Sequence, residues 1–171
     1  IDLLEQLIKR VQEEYKVRVY LEPGEACALN AGYLITEVLD ITKNGEVTNV
    51  ILDASAACHM PDVIEMPYMP PIYGAYIAED LEDDFGLDNK HLVSNKRENK
   101  YCLGGPTCLS GDVIGNYCFE GVIKIGNRVI FGDMAIYTTC KNNTFNGMSL
   151  PSIYSLKEDG VLLKLAQFSY E

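Results

Sequence analysis

The sequence has little positive charge, only two histidines and no tryptophan. Lysine and arginine number 14 against 25 acidic residues, so the formal net charge is −11 at pH 7 and no basic stripe could meet phosphates. No stretch approaches the roughly 20 apolar residues of a membrane span, and the start has no signal-peptide pattern. We therefore expect a cytoplasmic protein that binds neither nucleic acid nor membrane, and whose acidic field favours cationic partners.

Cysteines are present, but their spacing is irregular and no Cys-x-x-Cys pair occurs. A chain of 171 residues can bury about 70% of its unfolded surface and does not need disulfides for stability. We expect reduced thiols and no metal site. The cysteines are Cys27, Cys58, Cys102, Cys108, Cys118 and Cys140.

The chain opens with a helix-and-strand pattern. Apolar residues at helical spacing predict an amphipathic helix over residues 2–11, and residues 17–21 (Val-Arg-Val-Tyr-Leu) predict a strand that ends at Glu22. A helix followed directly by a strand is typical of an α/β unit. The apolar stripe consists of Leu3, Leu4, Leu7, Ile8 and Val11.

Three hairpin signals dominate the remainder, and no second good helix is indicated. This pattern predicts a mainly β domain, an antiparallel sandwich or barrel. A charged, aperiodic insertion at about 79–100 interrupts it. The turn pairs are Asn44-Gly45, Gly126-Asn127 and Asp159-Gly160, which join 32–41 to 46–53, 122–125 to 128–131, and 153–156 to 161–165.

The two parts differ in character, which predicts two domains. A single helix and strand cannot bury their apolar faces against each other. We expect residues 1–25 to be the last piece of a larger α/β domain, and residues 26–171 to form the separate β domain.

The segment 103–112 (Leu-Gly-Gly-Pro-Thr-Cys-Leu-Ser-Gly-Asp) indicates a functional site. It places the Cys108 thiol and the Asp112 carboxylate four residues apart on a turn rich in small residues. Glycine and proline favour an irregular backbone whose side chains can point at a ligand.

Seven short segments, taken in order, carry a family resemblance. They resemble the C-terminal half of the carboxynorspermidine (carboxyspermidine) decarboxylases, within the alanine-racemase-like class of pyridoxal-phosphate enzymes. The segments at 58–62 and 65–68 favour this branch over the ornithine and diaminopimelate decarboxylases. In chain order, the segments are Tyr-Leu-Glu-Pro-Gly at 20–24, Leu-Asp-Ala-Ser at 52–55, Cys-His-Met-Pro-Asp at 58–62, Glu-Met-Pro-Tyr at 65–68, Gly-Gly-Pro-Thr-Cys-Leu-Ser-Gly-Asp-Val-Ile at 104–114, Gly-Asp-Met-Ala-Ile-Tyr at 132–137 and Thr-Phe-Asn-Gly at 144–147.

The resemblance implies an N-terminal TIM (β/α)8 barrel that carries pyridoxal 5'-phosphate, followed by a β-sandwich, in a homodimer with shared active sites. Residues 1–25 would be the final helix and strand of that barrel, which typically needs about 250 residues. The Schiff-base lysine and the glycine-rich phosphate loop of the family lie in the earlier part. We therefore expect this chain alone to be inactive.

The resemblance also assigns cofactor-binding residues. Glu22 would pair with the protonated ring nitrogen, and Gly24 would let the backbone approach the phosphate. Tyr137 matches a phosphate-contacting tyrosine. Many relatives have arginine directly after the glycine, whereas this chain has Glu25, so phosphate binding would depend on backbone amides, Tyr137 and the earlier part of the protein.

For the substrate, the resemblance makes Cys108 the acid that returns a proton to the decarboxylated carbon, across the dimer. Asp53 and Asp112 would bind the distal amines of a polyamine-type amino acid, with Asp112 coming from the partner subunit. His59 has no assigned role, and residues 144–147 are expected to support the site. Two alternatives stay open: decarboxylation of another diamino acid, such as ornithine or diaminopimelate, and a non-catalytic binding or regulatory module.

Overall fold

A computed structural model describes residues 1–66, 68–78, 93–94 and 99–169 of the chain. Most of the charged insertion predicted at about 79–100 lies outside these residues. Within the described residues, one long helix, α1, is followed by three helices of a single turn, which are too short to produce an apolar stripe and were not predicted. The helices are α1 (Asp2–Tyr15), α2 (Ala56–His59), α3 (Asp62–Glu65) and α4 (Tyr137–Cys140), with 3₁₀ turns at Gly24–Cys27 and Phe145–Gly147.

In the part of the chain that the structure describes, nine strands form one large sheet and one separate hairpin. The sheet has the order β4-β3-β6-β5-β2-β1-β7, and β8 pairs with β9. The strands are β1 (Leu34–Asn44), β2 (Val47–Leu52), β3 (Ala75–Ala78), β4 (Val93–Ser94), β5 (Lys100–Gly104), β6 (Val113–Phe119), β7 (Arg128–Phe131), β8 (Ile153–Leu156) and β9 (Leu162–Ala166).

The large sheet is curled and mixed. Ile72 forms a bridge with Phe131 of β7, and the Tyr73 N–H donates to the Ile130 carbonyl at 3.1 Å, although β3 follows at the opposite side of the sheet. The segment before β3 therefore links the two sides of the sheet, which curls into a half-barrel. The predicted mainly β class is confirmed, but the pairing is not purely antiparallel because β2–β5 and β3–β4 are parallel.

The core lies inside the curl of the sheet. Tyr117 of β6 is buried there, and its hydroxyl donates to the Pro70 carbonyl at 2.9 Å. Burial raises the pKa of Tyr117, so the phenol stays neutral and acts as a donor. This bond ties the segment before β3 to the core. The most completely buried apolar side chains around it include Val38, Val50, Leu52, Met60, Leu103, Ile114 and Phe131.

Two of the three predicted hairpins form, namely β1–β2 and β8–β9. The third prediction is wrong beyond its turn: the Asn127 N–H donates to the Lys124 carbonyl at 3.0 Å, but residues 122–125 form no strand. β7 pairs with β1 on one side and bridges to Ile72 on the other. Because both sides of β7 are engaged, residues 122–125 have no backbone ladder to join.

Residues 17–21 also form no strand. A strand needs hydrogen-bonding neighbours, and no described segment pairs with these residues. Their apolar side chains are correspondingly exposed, at 48% for Val17 and 53% for Leu21. The stripe of α1 is exposed in the same way, since this helix has no buried residue.

Candidate functional site

Cys108 lies in a closed loop between β5 and β6, residues 105–112, which we call the Cys108 loop. The Gly105 N–H donates to the Asp112 carbonyl at 2.9 Å and closes the base of the loop. A tighter turn is nested inside, because the Asp112 N–H donates to the Leu109 carbonyl at 3.0 Å. Cys108 is exposed and free, so its thiol is open to a reactant.

The Asp112 carboxylate joins this loop to α2. It is only 5% exposed, and its Oδ1 accepts from the Ser55 hydroxyl at 2.9 Å and the Ala56 N–H at 2.7 Å, with the Ala57 N–H at 3.4 Å. Its Oδ2 accepts from the Thr107 hydroxyl at 2.6 Å and the Thr107 N–H at 3.3 Å. Both oxygens are therefore engaged inside the chain.

This geometry bears on the substrate-binding role predicted for Asp112. A substrate amine could reach the carboxylate only by displacing donors from α2 or from Thr107. Amine binding by Asp112 stays a prediction, and the observed contacts support a different role for it, which is holding the Cys108 loop against α2.

Gly105 makes the close approach of the loop and α2 possible. A Cβ at this position would lie 2.7 Å from the Ser55 Cα and 2.7 Å from the Asp112 Cγ, and closer still to the Asp112 Oδ2. Contacts this short are not tolerated, so the second glycine of the Gly-Gly pair is required by packing.

A second segment, 143–147, is fastened to the same helix. The Asn143 N–H donates to the Cys58 carbonyl at 3.1 Å, and the Asn143 amide donates to the Ala57 carbonyl at 2.8 Å. The Cys58 thiol lies 3.4 Å from the Phe145 carbonyl, and burial raises its pKa, so it remains a neutral donor. The supporting role predicted for residues 144–147 has a structural counterpart in these bonds.

Asn146, at the end of this segment, contacts the Cys108 loop directly. Its Oδ1 accepts from the Cys108 N–H at 2.8 Å. The structure thus brings together α2, the Cys108 loop and residues 143–147.

His59 hydrogen-bonds to the backbone of two other segments near the loop. Its Nδ1 accepts from the Ser55 N–H at 3.0 Å, so Nε2 carries the proton and donates to the Ser149 carbonyl at 3.0 Å. The ring is only 3% exposed, and burial lowers its pKa below the ordinary value. His59 is therefore a neutral side chain that orders the backbone at Ser55 and Ser149.

Asp53 lies at the end of β2 and, unlike Asp112, is exposed. Its Oδ1 accepts from the Glu37 N–H at 2.8 Å, and its own N–H donates to the Glu37 carbonyl at 3.0 Å. No other described group hydrogen-bonds to this carboxylate. Asp53 is thus held by one oxygen and has the second available for a cation.

Tyr137 and Gly24, both predicted to contact a phosphate, lie close together. The Tyr137 hydroxyl is 3.9 Å from the position that a Cβ on Gly24 would occupy, and apart from the residues adjacent to Gly24 no other described atom lies within 4 Å of that position. Tyr137 begins α4 directly after Ile136, whose φ of 53° and ψ of −101° are strained for a β-branched residue. The structure does not bring Glu22 into this group: its exposed carboxylate has no partner among the described residues.

Lys141, which the sequence reasoning missed, lies one helical turn after Tyr137. Its ammonium is 4.9 Å from the centre of the Tyr137 ring and bonds Asp62 Oδ1 at 2.6 Å and Glu65 Oε2 at 2.8 Å. Hydrogen bonds to these carboxylates raise the pKa of Lys141 and keep it charged. The i, i+4 spacing from Tyr137 was the signal that could have found it.

Asn146, Ser55 and Thr107 were also missed as individual residues. Their partners are 38, 57 and 5 positions away in sequence.

None of the helices in the described ranges combines the length and apolar character needed to cross a membrane. Within the same ranges, no three His, Cys, Asp or Glu side chains are grouped so as to hold a metal ion.

Comparison with known proteins identifies similar sequences along the whole chain. The family model described as "Pyridoxal-dependent decarboxylase, C-terminal sheet domain" matches residues 8–135. A carboxynorspermidine/carboxyspermidine decarboxylase of Campylobacter jejuni is 40% identical over 100% of this chain and 43% of its own length. A carboxyaminopropylagmatine decarboxylase of Synechocystis sp. is 36% identical over 94% of this chain and 37% of its own length.

A solved structure shows the same relationship. The crystal structure of carboxynorspermidine decarboxylase from Campylobacter jejuni, complexed with norspermidine, matches with a TM-score of 0.77 and 41% identity. The match covers 96% of this chain and 43% of that one. The chain thus spans less than half the length of these relatives.

Proposed function

The chain belongs to the pyridoxal-dependent decarboxylase family, in its C-terminal sheet domain, and on this premise we propose that the whole protein decarboxylates carboxynorspermidine or carboxyspermidine. The products would be norspermidine or spermidine. The observation that carries the proposal is the 40% sequence identity, over the whole chain, to a relative bearing that name. Its 27% identity to a diaminopimelate decarboxylase over 76% of the chain gives weaker support to that alternative.

We propose that residues 1–25 form the last helix and strand of a TIM barrel, and that residues 26–171 form the β-sandwich domain. The exposed stripe of α1 supports this division, since Leu3, Leu4 and Leu7 are 70%, 48% and 48% exposed. An apolar helix stripe is normally buried, and in a TIM barrel the outer helices bury theirs against the strands. The absence of a partner strand for residues 17–21 in the described chain is consistent with pairing to earlier barrel strands.

The residues present fit the phosphate end of pyridoxal phosphate. In the described chain, the Tyr137 hydroxyl lies beside the open space at Gly24 and can donate to a phosphate oxygen. The Lys141 ammonium over the same ring is already bonded to Asp62 and Glu65, so its charge is balanced within the chain. Glu25 supplies no positive charge, so the remaining donors must be backbone amides and groups outside this chain. The exposed Glu22, just before Gly24, would hold the proton on the ring nitrogen.

When bound, pyridoxal phosphate supplies the electron sink for the electron pair left as carbon dioxide departs. The chain's own residues then bind the substrate and return a proton. Cys108 holds that proton on its Sγ, at the exposed end of a loop fastened to α2. A thiol can donate its proton as a general acid.

We further propose that the active sites are shared in a homodimer, with the Cys108 loop, including Asp112, reaching the cofactor of the partner subunit. The close packing of Asp112 supports this arrangement, because it holds the loop in place so that the loop can present a thiol to a neighbouring subunit.

The function is tested with the full-length protein encoded by the natural gene. We expect a visible absorbance from the bound cofactor, and a kcat/KM for carboxynorspermidine or carboxyspermidine about 100-fold or more above that for ornithine or diaminopimelate, because a site built for a long dication leaves charges unpaired with shorter substrates. Carbon dioxide release with each substrate measures it. Preference for ornithine or diaminopimelate would support the other decarboxylases, and an intact protein without chromophore or turnover would support a non-catalytic module.

Asp53 provides a more local prediction. Its available oxygen is proposed to pair with a distal substrate ammonium, so Asp53→Asn should raise KM about 10-fold with little change in kcat. Steady-state kinetics of the full-length protein measure this split. Asp40→Asn is the matched control, because Asp40 is also exposed and its Oδ1 also accepts one backbone N–H, from Ile41 at 2.8 Å. An equal KM change in both variants would contradict a specific role for Asp53.

A further inference from the structure

We propose that Asn146 is a positioning residue for Cys108: its side-chain carbonyl fixes the backbone of Cys108 and so determines where the thiol lies. The inference rests on the proposed function of Cys108 and adds to it the group that holds the acid in place. It concerns a side chain 38 positions away in sequence, joined to Cys108 by one hydrogen bond of 2.8 Å.

The first argument is the way the loop is held. At its base, the loop is fastened by the bonds of Asp112 to Gly105, Thr107 and α2. At its end, the Leu109 N–H donates to the Thr107 hydroxyl at 3.4 Å and the Leu109 carbonyl accepts from the Asp112 N–H at 3.0 Å, so both bonds stay within the loop. Among the described residues, the bond from the Cys108 N–H to Asn146 is the one that ties the end of the loop to another segment.

The second argument is that Asn146 is itself rigidly placed. Its backbone has φ 60° and ψ 21°, a left-handed conformation that asparagine tolerates better than most residues. The residues before it are anchored, since Asn143 bonds the Ala57 and Cys58 carbonyls, and the Phe145 N–H donates to Asn143 Oδ1 at 3.0 Å. The acceptor that faces Cys108 therefore belongs to the same α2 scaffold that holds Asp112.

The two anchors together define the position of the thiol. Asp112 fixes the base of the loop and Asn146 fixes its end, and both are referred to one helix. Proton transfer requires the donor to be within hydrogen-bond reach of the carbon it protonates, so freedom at the end of the loop reduces the fraction of productive complexes.

The test uses the full-length protein with its cofactor and compares three variants. Asn146→Gly removes the acceptor but allows the left-handed backbone, and Asn146→Asp keeps an acceptor oxygen. Asn99→Gly is the matched control, because Asn99 also has a left-handed φ, of 54°, and its side chain has no hydrogen bond among the described residues. Amide hydrogen exchange of the peptide containing Cys108 reports the bond, and kcat and KM report its consequence.

We expect Asn146→Gly to speed exchange at Cys108 and lower kcat, each about 10-fold, with KM nearly unchanged. Asn146→Asp should have an exchange rate and a kcat close to those of the unmodified protein, and Asn99→Gly should change neither quantity. If Asn146 acts through Cys108, its effect on kcat should vanish in the Cys108→Ala background, whereas a general structural role would persist there.

Unchanged exchange at Cys108 in Asn146→Gly would overturn the positioning role, and so would an equal loss of kcat in the Cys108→Ala background. The proposed role of Cys108 fails separately, if Cys108→Ala itself retains full turnover. In that case the exchange rate still decides whether Asn146 positions the loop, because it requires no assumption about catalysis.

Discussion

Replacing Cys108 with alanine in the full-length protein should lower turnover about 100-fold or more, because general acid catalysis contributes at least that factor. The thiol is exposed and free, and its side chain has no hydrogen bond among the residues that the structure describes, so the fold and the loop should persist. The cofactor absorbance should also persist, since Tyr137, Gly24 and Glu22 are untouched. Stopped-time carbon dioxide release and the visible spectrum, recorded on the same sample, measure both.

The matched control is Cys140→Ala. Cys140 is also exposed and free, and it lies in α4, where alanine favours the helix. We expect turnover within about two-fold of the unmodified protein, because the Cys140 side chain is not among the groups proposed to contact the cofactor or the substrate. A Cys108→Ala variant that turns over as fast as the Cys140→Ala variant would refute the role of Cys108 as the acid.

Gly105→Ala should destabilise the Cys108 loop, with a loss of about 2–4 kcal/mol in the free energy of unfolding. The new Cβ would lie 2.7 Å from the Ser55 Cα, and the Gly105 backbone cannot retreat without losing its 2.9 Å bond to the Asp112 carbonyl. Relief by movement of Asp112 would strand a buried carboxylate and its donors at Ser55 and Thr107.

The same loop provides the control. A Cβ on Gly111 would meet nothing within 4 Å, and Gly111 has no left-handed φ, so Gly111→Ala should leave stability almost unchanged. Urea denaturation of the full-length proteins, followed together with kcat, compares the two substitutions. Equal midpoints for Gly105→Ala and Gly111→Ala would contradict the packing argument.

Local signals predicted those parts of the fold that depend on local chemistry. The hairpins β1–β2 and β8–β9 follow from the turn signals at Asn44-Gly45 and Asp159-Gly160, because a short turn with a glycine of positive φ joins strands that are adjacent in sequence. Two residues, 45 and 46, separate the paired ends of β1 and β2, and five residues, 157–161, separate those of β8 and β9. The same signal at Gly126-Asn127 produced the turn but not the hairpin. There the competing partner was β1, which is distant in sequence and occupies the ladder of β7.

The site shows the same division. The motifs selected Cys108, Asp112, Gly24 and Tyr137 as chemically distinctive, and the structure places Gly24 beside Tyr137. They could not show that Asp112 is buried with both oxygens engaged, nor that Asn146 faces Cys108. Hydrogen bonds between segments tens of residues apart depend on how the chain is folded, which no spacing within one motif records.

The sequence by itself determined the mainly β class, the local turns and the residue types able to do acid and amine-binding chemistry, because each is set by composition or short-range pattern, and its ordered motifs carried the resemblance to the family. Only the tertiary structure decided the parallel pairing of β2 with β5, the curl that links Ile72 to β7, and the use of α2 as a common support for Asp112 and residues 143–147. These features arise from competition among distant segments for the same backbone and side-chain partners. The outcome of that competition is set by the packed whole.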